Sequence, residues 1–377
     1  MKIIPYGKHY IDKKDIDVVV KTLKKDKITT GKTTIEFENK ISDYLKCKYV
    51  STCNSGTSAL YLAMQSLNIK KNDTIIMPSI NFISSYSVAK LFDAKVFLTD
   101  VDRFTGQMRP DDVINCIKKF KLKNIKALII MYNGGYPQNA EKFFQLKKKY
   151  KFYIVEDACH ALGATYKINY KTFKIGSCAH SDICTFSLHP LKTITTGEGG
   201  LVTTNVKSID TNIKKLRSLG QTRDNKKHWK YDVIFKGLNL RMTDFQAALG
   251  ISQLRKINKF LNYRVKVKKL YNQNLIKNKK IHIPDHKKNY ISSNHLYIIN
   301  FVKPNLRKKE NFLKNMLQKN IILQYHYIPI YKFKIFNDKF ICQNAEIYYK
   351  SSVSLPIYYG LKLKDQKKVI RHINKFI

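Results

Sequence analysis

The chain has 377 residues, 44% of them hydrophobic, which is enough for a large core and too much for a disordered protein. Its formal net charge is +43, and only nine of its 70 basic side chains are arginines. Lysine spread through almost every segment argues for a solvated basic surface. It argues against a nucleic-acid patch, which gathers its charge and uses arginine for bidentate contacts; such a field would still attract an anionic substrate.

The opening stretch MKIIPYGKHYIDKKD lacks the apolar core and cleavage site of a secretory signal, and the longest apolar runs are too short to span a bilayer. A cytoplasmic protein with no membrane partner is expected. From about residue 45 to 205, short β-rich runs alternate with helical patterns. The predicted strands are DTIIMP, AKVFLTDV, IKALIIMY, FYIVEDA, DICTFSL and GLVTTN, with amphipathic stretches such as PDDVINCIKKF and AEKFFQLKKKY between them. That order predicts an α/β fold around an open, mostly parallel sheet, whose ligands collect at the carboxyl ends of the strands.

Near residue 250 the character changes. Residues 241–275 read as one long helical region, and 251–377 as a smaller α/β domain, with NHLYIINFV, ENFLKNMLQK and IILQYHYIP giving strand, helix and strand. The seven scattered cysteines include no CxxC pair, so buried free thiols are expected and no metal site.

Four short stretches carry residue types that complement one another. In CNSGTSALYLAM, Gly56, Thr57 and Ser58 open a helix, and a helix N-terminus with glycine and hydroxyls suits a phosphate, although Ser and Thr are also ordinary caps. In VEDACHALGATY, Asp157 ends a predicted strand, and a buried carboxylate there needs a cationic or hydrogen-bonding partner such as a pyridinium nitrogen. His160 could contact the same ligand or simply pack. In FSLHPLKTITTGEGG, Lys192 follows a strand and precedes Gly197, Gly199 and Gly200. A partly desolvated lysine there can form a Schiff base, and Ser187 can offer its hydroxyl to the same phosphate. The fourth stretch, GLNLRMTDFQAALG, places Asn239 and Arg241 before a capped helix start.

Together these stretches resemble the sugar aminotransferases of the DegT/DnrJ/EryC1/StrS family, which use pyridoxal 5′-phosphate (PLP). The resemblance runs from about residue 5 to the end, and the most specific parts are the EDACHA-x-GA and FS-x-HP-x-K-x-ITTGEGG motifs. It implies the aminotransferase fold type I, with a large PLP-binding domain over 1–250 and a small domain over 251–377. It implies that Lys192 holds PLP covalently and moves protons, that Asp157 pairs with the pyridine nitrogen, and that Gly56, Thr57 and Ser187 bind the phosphate. By the same resemblance Phe82 covers the ring face, His160 contacts the ring, and Asn239 reaches the phosphate in the neighbouring subunit of a homodimer. Lys192 counts against the sugar dehydratases of the same fold, which have histidine there.

The segments SSNHLYIINF and ILQYHYIPIYKF are similar to a branch that aminates a UDP-linked 4-keto-6-deoxy sugar for pseudaminic acid, with L-glutamate as donor. That branch implies substrate contacts from Tyr6, Asp26, Lys27, Ile28, Thr29, His326, Ile330, Tyr331, Lys332 and Phe333. The alternatives are an aminotransferase working at C3 or C4 of another nucleotide sugar, or a basic nucleic-acid-binding regulator that keeps the fold.

Overall fold

The computed structural model describes residues 3–223, 227, 229–284, 287–336 and 340–377. A seven-stranded sheet runs through its first half: β1 (Tyr49–Cys53), β2 (Thr74–Pro78), β3 (Lys95–Thr99), β4 (Ile125–Met131), β5 (Tyr153–Asp157), β6 (Ile183–Ser187) and β7 (Gly200–Thr204). The order is β1-β7-β6-β5-β4-β2-β3. Only β7 runs antiparallel to its neighbours, β1 and β6; the remaining pairs are parallel. The expected mostly parallel α/β sheet is therefore present, and its six expected strands are joined by β1, whose polar sequence YVSTC hid it.

Helices cover both faces, which is why β2 and β4 are near-continuous apolar runs. Successive side chains divide between the faces. Ile76, Leu128 and Ile154 enter one core, and Ile75, Met77, Ile129 and Val155 enter the other. All seven are essentially shielded from water. Each such side chain contributes about 1.5–3 kcal/mol of burial.

The long helical region over 241–275 is two helices, Asp244–Leu254 and Ile257–Leu275. The break falls at Arg255 and Lys256, where the Lys256 ammonium reaches Asp15 at 2.6 Å and Asp12 at 3.0 Å. A second sheet of three strands, Ile281–His282, Tyr297–Phe301 and Ser352–Leu355, lies under the helices Leu306–Gln318 and Leu363–Phe376. Phe312, Met316, Val369 and Ile373 close its core, joined by Ile4 from the N-terminal segment.

IILQYHYIP is not the expected strand. It makes two isolated bridges, Ile321 to Ile4 and Gln324 to Ser354, and Tyr297–Phe301 pairs with Ile281–His282 and Ser352–Leu355. Residues 324–328 line a cavity instead. No helix among the described residues is long and apolar enough to cross a membrane.

Candidate active site

The parallel strands deliver their carboxyl ends to one edge, and the chemistry-bearing residues follow there. β5 ends at Asp157, which is buried; its carboxylate accepts from the Ser85 hydroxyl at 3.0 Å and the Cys159 N–H at 3.3 Å. β6 ends at Ser187, and residues 188–199 return along the same edge to β7, carrying Lys192. β1 leads into the helix Gly56–Ser66, where the Ser55 side chain accepts the Ser58 N–H at 3.0 Å. The Gly56 and Thr57 amides belong to the first turn, whose N–H groups have no partner within the helix.

These ends surround a cavity of about 500 Å³. Gly56, Thr57, Phe82, Asp157, Ser187 and Lys192 all line it, as do Tyr6, His160, His326 and Phe333. The Lys192 side chain is half-buried, and desolvation pulls its amine below the ordinary lysine value, against the opposing fields of Cys159 and Asp157. A lysine so placed holds its proton less firmly than one in water, so more of it is the free amine that can attack a carbonyl or take up a proton near neutral pH.

The other wall is a group of imidazoles and aromatic rings. His160 packs against His295 with ring centroids 4.2 Å apart and planes tilted by 31°, and Tyr327 lies between His160 and Phe82. Burial, then the Lys192 charge, pushes His160 well below the usual histidine value. Burial likewise lowers His295, with His160 next, and takes His326 down to about 3, with Lys192 next. Three neutral rings therefore face the lysine.

Other residues expected to touch a ligand, among them Asn239 expected at the neighbouring subunit's phosphate, do not line this cavity of the single protomer. Asn239 is exposed and bridges to Ser218, outside the cavity wall. Asp26, Lys27, Ile28 and Thr29 form an exposed loop, with Thr29 bridged to Thr243. The Ile330 side chain is wholly buried in the sheet core, Tyr331 donates to Glu346 at 3.0 Å, and the Lys332 ammonium pairs with Glu346 at 2.8 Å. Within IYKF, only Phe333 lines the cavity.

Other wall residues went unremarked in the sequence. Asn81 is 1% exposed, lines the cavity, and has neither amide atom hydrogen-bonded among the described residues. A polar side chain just after the apolar strand β2 was its only signal. Cys159, His295 and Tyr327 each adjoin or sit within motifs read for a different residue.

The donor set fits a flat group bearing an aldehyde, a basic ring nitrogen and a phosphate. An amine of lowered basicity, a buried carboxylate, and a helix start beside a serine hydroxyl face one space. Gly56 lets that helix start close on the serine: a Cβ there would lie 2.7 Å from the Ser187 Cβ. Orphaned amide atoms on Asn81 leave further polar capacity in the wall.

The DegT/DnrJ/EryC1/StrS aminotransferase family matches residues 9–374. The chain is 35% identical over 373 residues to the UDP-4-amino-4,6-dideoxy-N-acetyl-beta-L-altrosamine transaminase of Campylobacter jejuni subsp. jejuni serotype O:23/36 (strain 81-176), covering 97% of this chain and 96% of that one. Its fold superposes on Helicobacter pylori PseC, an aminotransferase involved in the biosynthesis of pseudoaminic acid, with a TM-score of 0.91 at 27% identity, covering 100% and 99% of the two chains. The PLP-form of the putative sugar aminotransferase Spr1654 from Streptococcus pneumoniae gives 0.90 at 26% identity, covering 100% of each. With its motifs gathered at one sheet edge and a family match along almost its whole length, the chain belongs to the DegT/DnrJ/EryC1/StrS aminotransferases and is an enzyme that uses pyridoxal 5′-phosphate.

Proposed function

We propose that this enzyme transfers an amino group from L-glutamate to C4 of a UDP-linked 4-keto-6-deoxy sugar, UDP-2-acetamido-2,6-dideoxy-β-L-arabino-hex-4-ulose, giving the 4-amino sugar of the pseudaminic acid route and 2-oxoglutarate. The observation that carries the reading is one cavity lined by a half-buried Lys192, the Asp157 carboxylate and the Gly56–Thr57 helix start. The similarity to the Campylobacter transaminase supports the choice of sugar.

Bound there, the cofactor supplies an aldehyde that condenses with amines and a ring that accepts the electrons released at the donor α-carbon. Lys192 would anchor it, and its amine, when free, would take up and return the proton of the substrate carbon. Asp157, buried and fixed by Ser85, keeps a proton on the ring nitrogen. Gly56, Thr57 and Ser187 hold the phosphate. Phe82, 53% exposed in the cavity wall, would cover one face of the cofactor, and His160 would adjoin it as a neutral group. Tyr6, His326 and Phe333 bound the space for the sugar. Lys27, with Asp26, Ile28 and Thr29 on an exposed loop, is suited to the UDP pyrophosphate.

In this reading 1–250 form the large cofactor-binding domain and 251–377 the small one, and the enzyme works in the cytoplasm as a homodimer. The exposed apolar side chains of Tyr231, Val233, Ile234 and Leu238 lie just before the exposed Asn239. Cover by a second copy would bring Asn239 to the partner's phosphate site.

The test is an absorbance spectrum of the purified protein with PLP, then with L-glutamate, then with the UDP-4-keto sugar. Loss of the cofactor's visible band with glutamate and its return with this sugar supports the reading. Return only with a different keto sugar replaces the substrate. Retention of the band in Lys192→Ala would remove Lys192 from its role.

A further inference from the structure

One hydrogen-bonded chain in the cavity wall has a direction. The Gly134 N–H donates to His160 Nδ1 at 3.4 Å. His160 is buried and neutral, so with Nδ1 accepting, its single ring proton sits on Nε2. Nε2 lies 2.8 Å from the Tyr327 hydroxyl and must donate to that oxygen. The proton of Tyr327 itself is then left over. Among the described residues His160 is the one hydrogen-bond partner of that hydroxyl, and Tyr327 lines the same cavity as Lys192 and Asp157.

We infer that Tyr327 is a further ligand-binding residue of this site, its hydroxyl oriented by His160 to donate a hydrogen bond to an acceptor oxygen beside the Lys192 amine. The inference rests on the Lys192-centred reading of the cavity. A backbone amide sets its direction, which a rotatable side chain could not do as firmly. His295, packed against His160 with ring centroids 4.2 Å apart, limits the movement of that ring. The Phe82 ring, with its centroid 5.7 Å from that of Tyr327, bounds the other side. Tyrosine is suited to the task because its hydroxyl accepts and donates at once, whereas phenylalanine keeps the packing and loses both.

The acceptor oxygen belongs either to the cofactor ring or to the keto sugar, and the two sources separate in one experiment on the full-length enzyme with PLP. Wild type and Tyr327→Phe are compared for PLP dissociation constant, for the pH midpoint of the visible absorbance, and for KM and kcat with the keto sugar. A cofactor oxygen predicts weaker PLP retention, by about three- to tenfold, and a moved pH midpoint with no sugar present. A sugar oxygen predicts a KM raised by about the same factor and an unchanged spectrum. All of these within twofold of wild type would overturn the inference. Nitrogen-15 spectra of the wild-type histidines give a second check that does not depend on Tyr327→Phe, with His160 assigned from its absence in His160→Gln. The expected form is neutral with the proton on Nε2; a proton on Nδ1 would reverse the chain and overturn it. Unchanged PLP retention in Lys192→Ala would instead sink the site reading itself.

Discussion

Gly56 and Ser187 lie so close that a Cβ at position 56 would meet the Ser187 Cβ at 2.7 Å and its Cα at 3.2 Å. One residue starts a helix and the other ends β6, so the contact sets the width of the phosphate end of the cavity. Gly56→Ala should force the helix away from the strand, at a cost of about 1–3 kcal/mol in stability. It should also weaken PLP retention, measured by dialysis. Adding Ser187→Gly removes the nearest obstacle and should recover most of the stability while leaving PLP weak, because the hydroxyl is gone. Full recovery of both would mean that Ser187 does not bind the phosphate.

Asp157 has its two carboxylate oxygens engaged by Ser85 and by the Cys159 amide, so it is held rather than free to turn. Asp157→Asn keeps the shape and removes the charge that favours a protonated ring nitrogen. We expect kcat to fall on the order of a hundredfold with PLP still bound. Ser85→Ala should cost far less, about two- to tenfold, since the carboxylate remains. Equal effects from both variants would show that orientation, not charge, is what the ring requires.

The sheet was legible because buried parallel strands are apolar on both faces; DTIIMP and IKALIIMY could hardly be anything else. Lys192 and Asp157 were legible for a different reason, since each follows a predicted strand within a motif of high specificity, whereas Gly56 stood only as a helix start that suits a phosphate. IILQYHYIP misled because its aliphatic and aromatic run suits a strand, yet here His326 and Tyr327 face a cavity instead of a sheet neighbour. Ile330, Tyr331 and Lys332 show the limit of carrying a motif over whole. Next to Phe333 in sequence, they spend their side chains on the core and on Glu346. The Gly134–His160–Tyr327 chain joins three distant segments, and no local pattern announces that.

The neutral histidines make stability depend on pH. His326 is lowered to about 3 by burial, and His160 and His295 are lowered in the same direction. Between those values and the ordinary value of about 6.5, the unfolded chain binds protons that the folded chain refuses. Their contribution is therefore complete above about pH 6.5 and is lost progressively as the pH falls toward the folded value. Urea midpoints measured from pH 7.5 to 5 should decline, and His326→Asn should flatten the decline. An unchanged slope in that variant would mean that His326 does not control it.

Asp244 sits at the start of the helix Asp244–Leu254 yet caps a different one. Its carboxylate accepts from the Gly31 N–H at 3.0 Å, the Thr33 N–H at 3.3 Å and the Thr34 hydroxyl at 2.6 Å, all at the start of the helix Lys32–Leu45. Its own N–H donates to the Ile28 carbonyl at 2.8 Å, so one residue fixes both the helix start and the exposed loop before it. A Cβ at Gly31 would come within 2.1 Å of that carboxylate, which is why no side chain fits there. Asp244→Ala leaves buried donors unmet and should destabilise the fold by about 3 kcal/mol. Asp244→Asn keeps one acceptor and should cost about 1 kcal/mol. If Asp26–Thr29 contacts the nucleotide, the asparagine variant should raise KM for the UDP-sugar severalfold and leave the PLP spectrum and the glutamate half-reaction untouched. A KM equal to wild type, with the loop shown by proteolysis to be loosened, would remove that loop from the substrate site and return the pyrophosphate to residues inside the cavity.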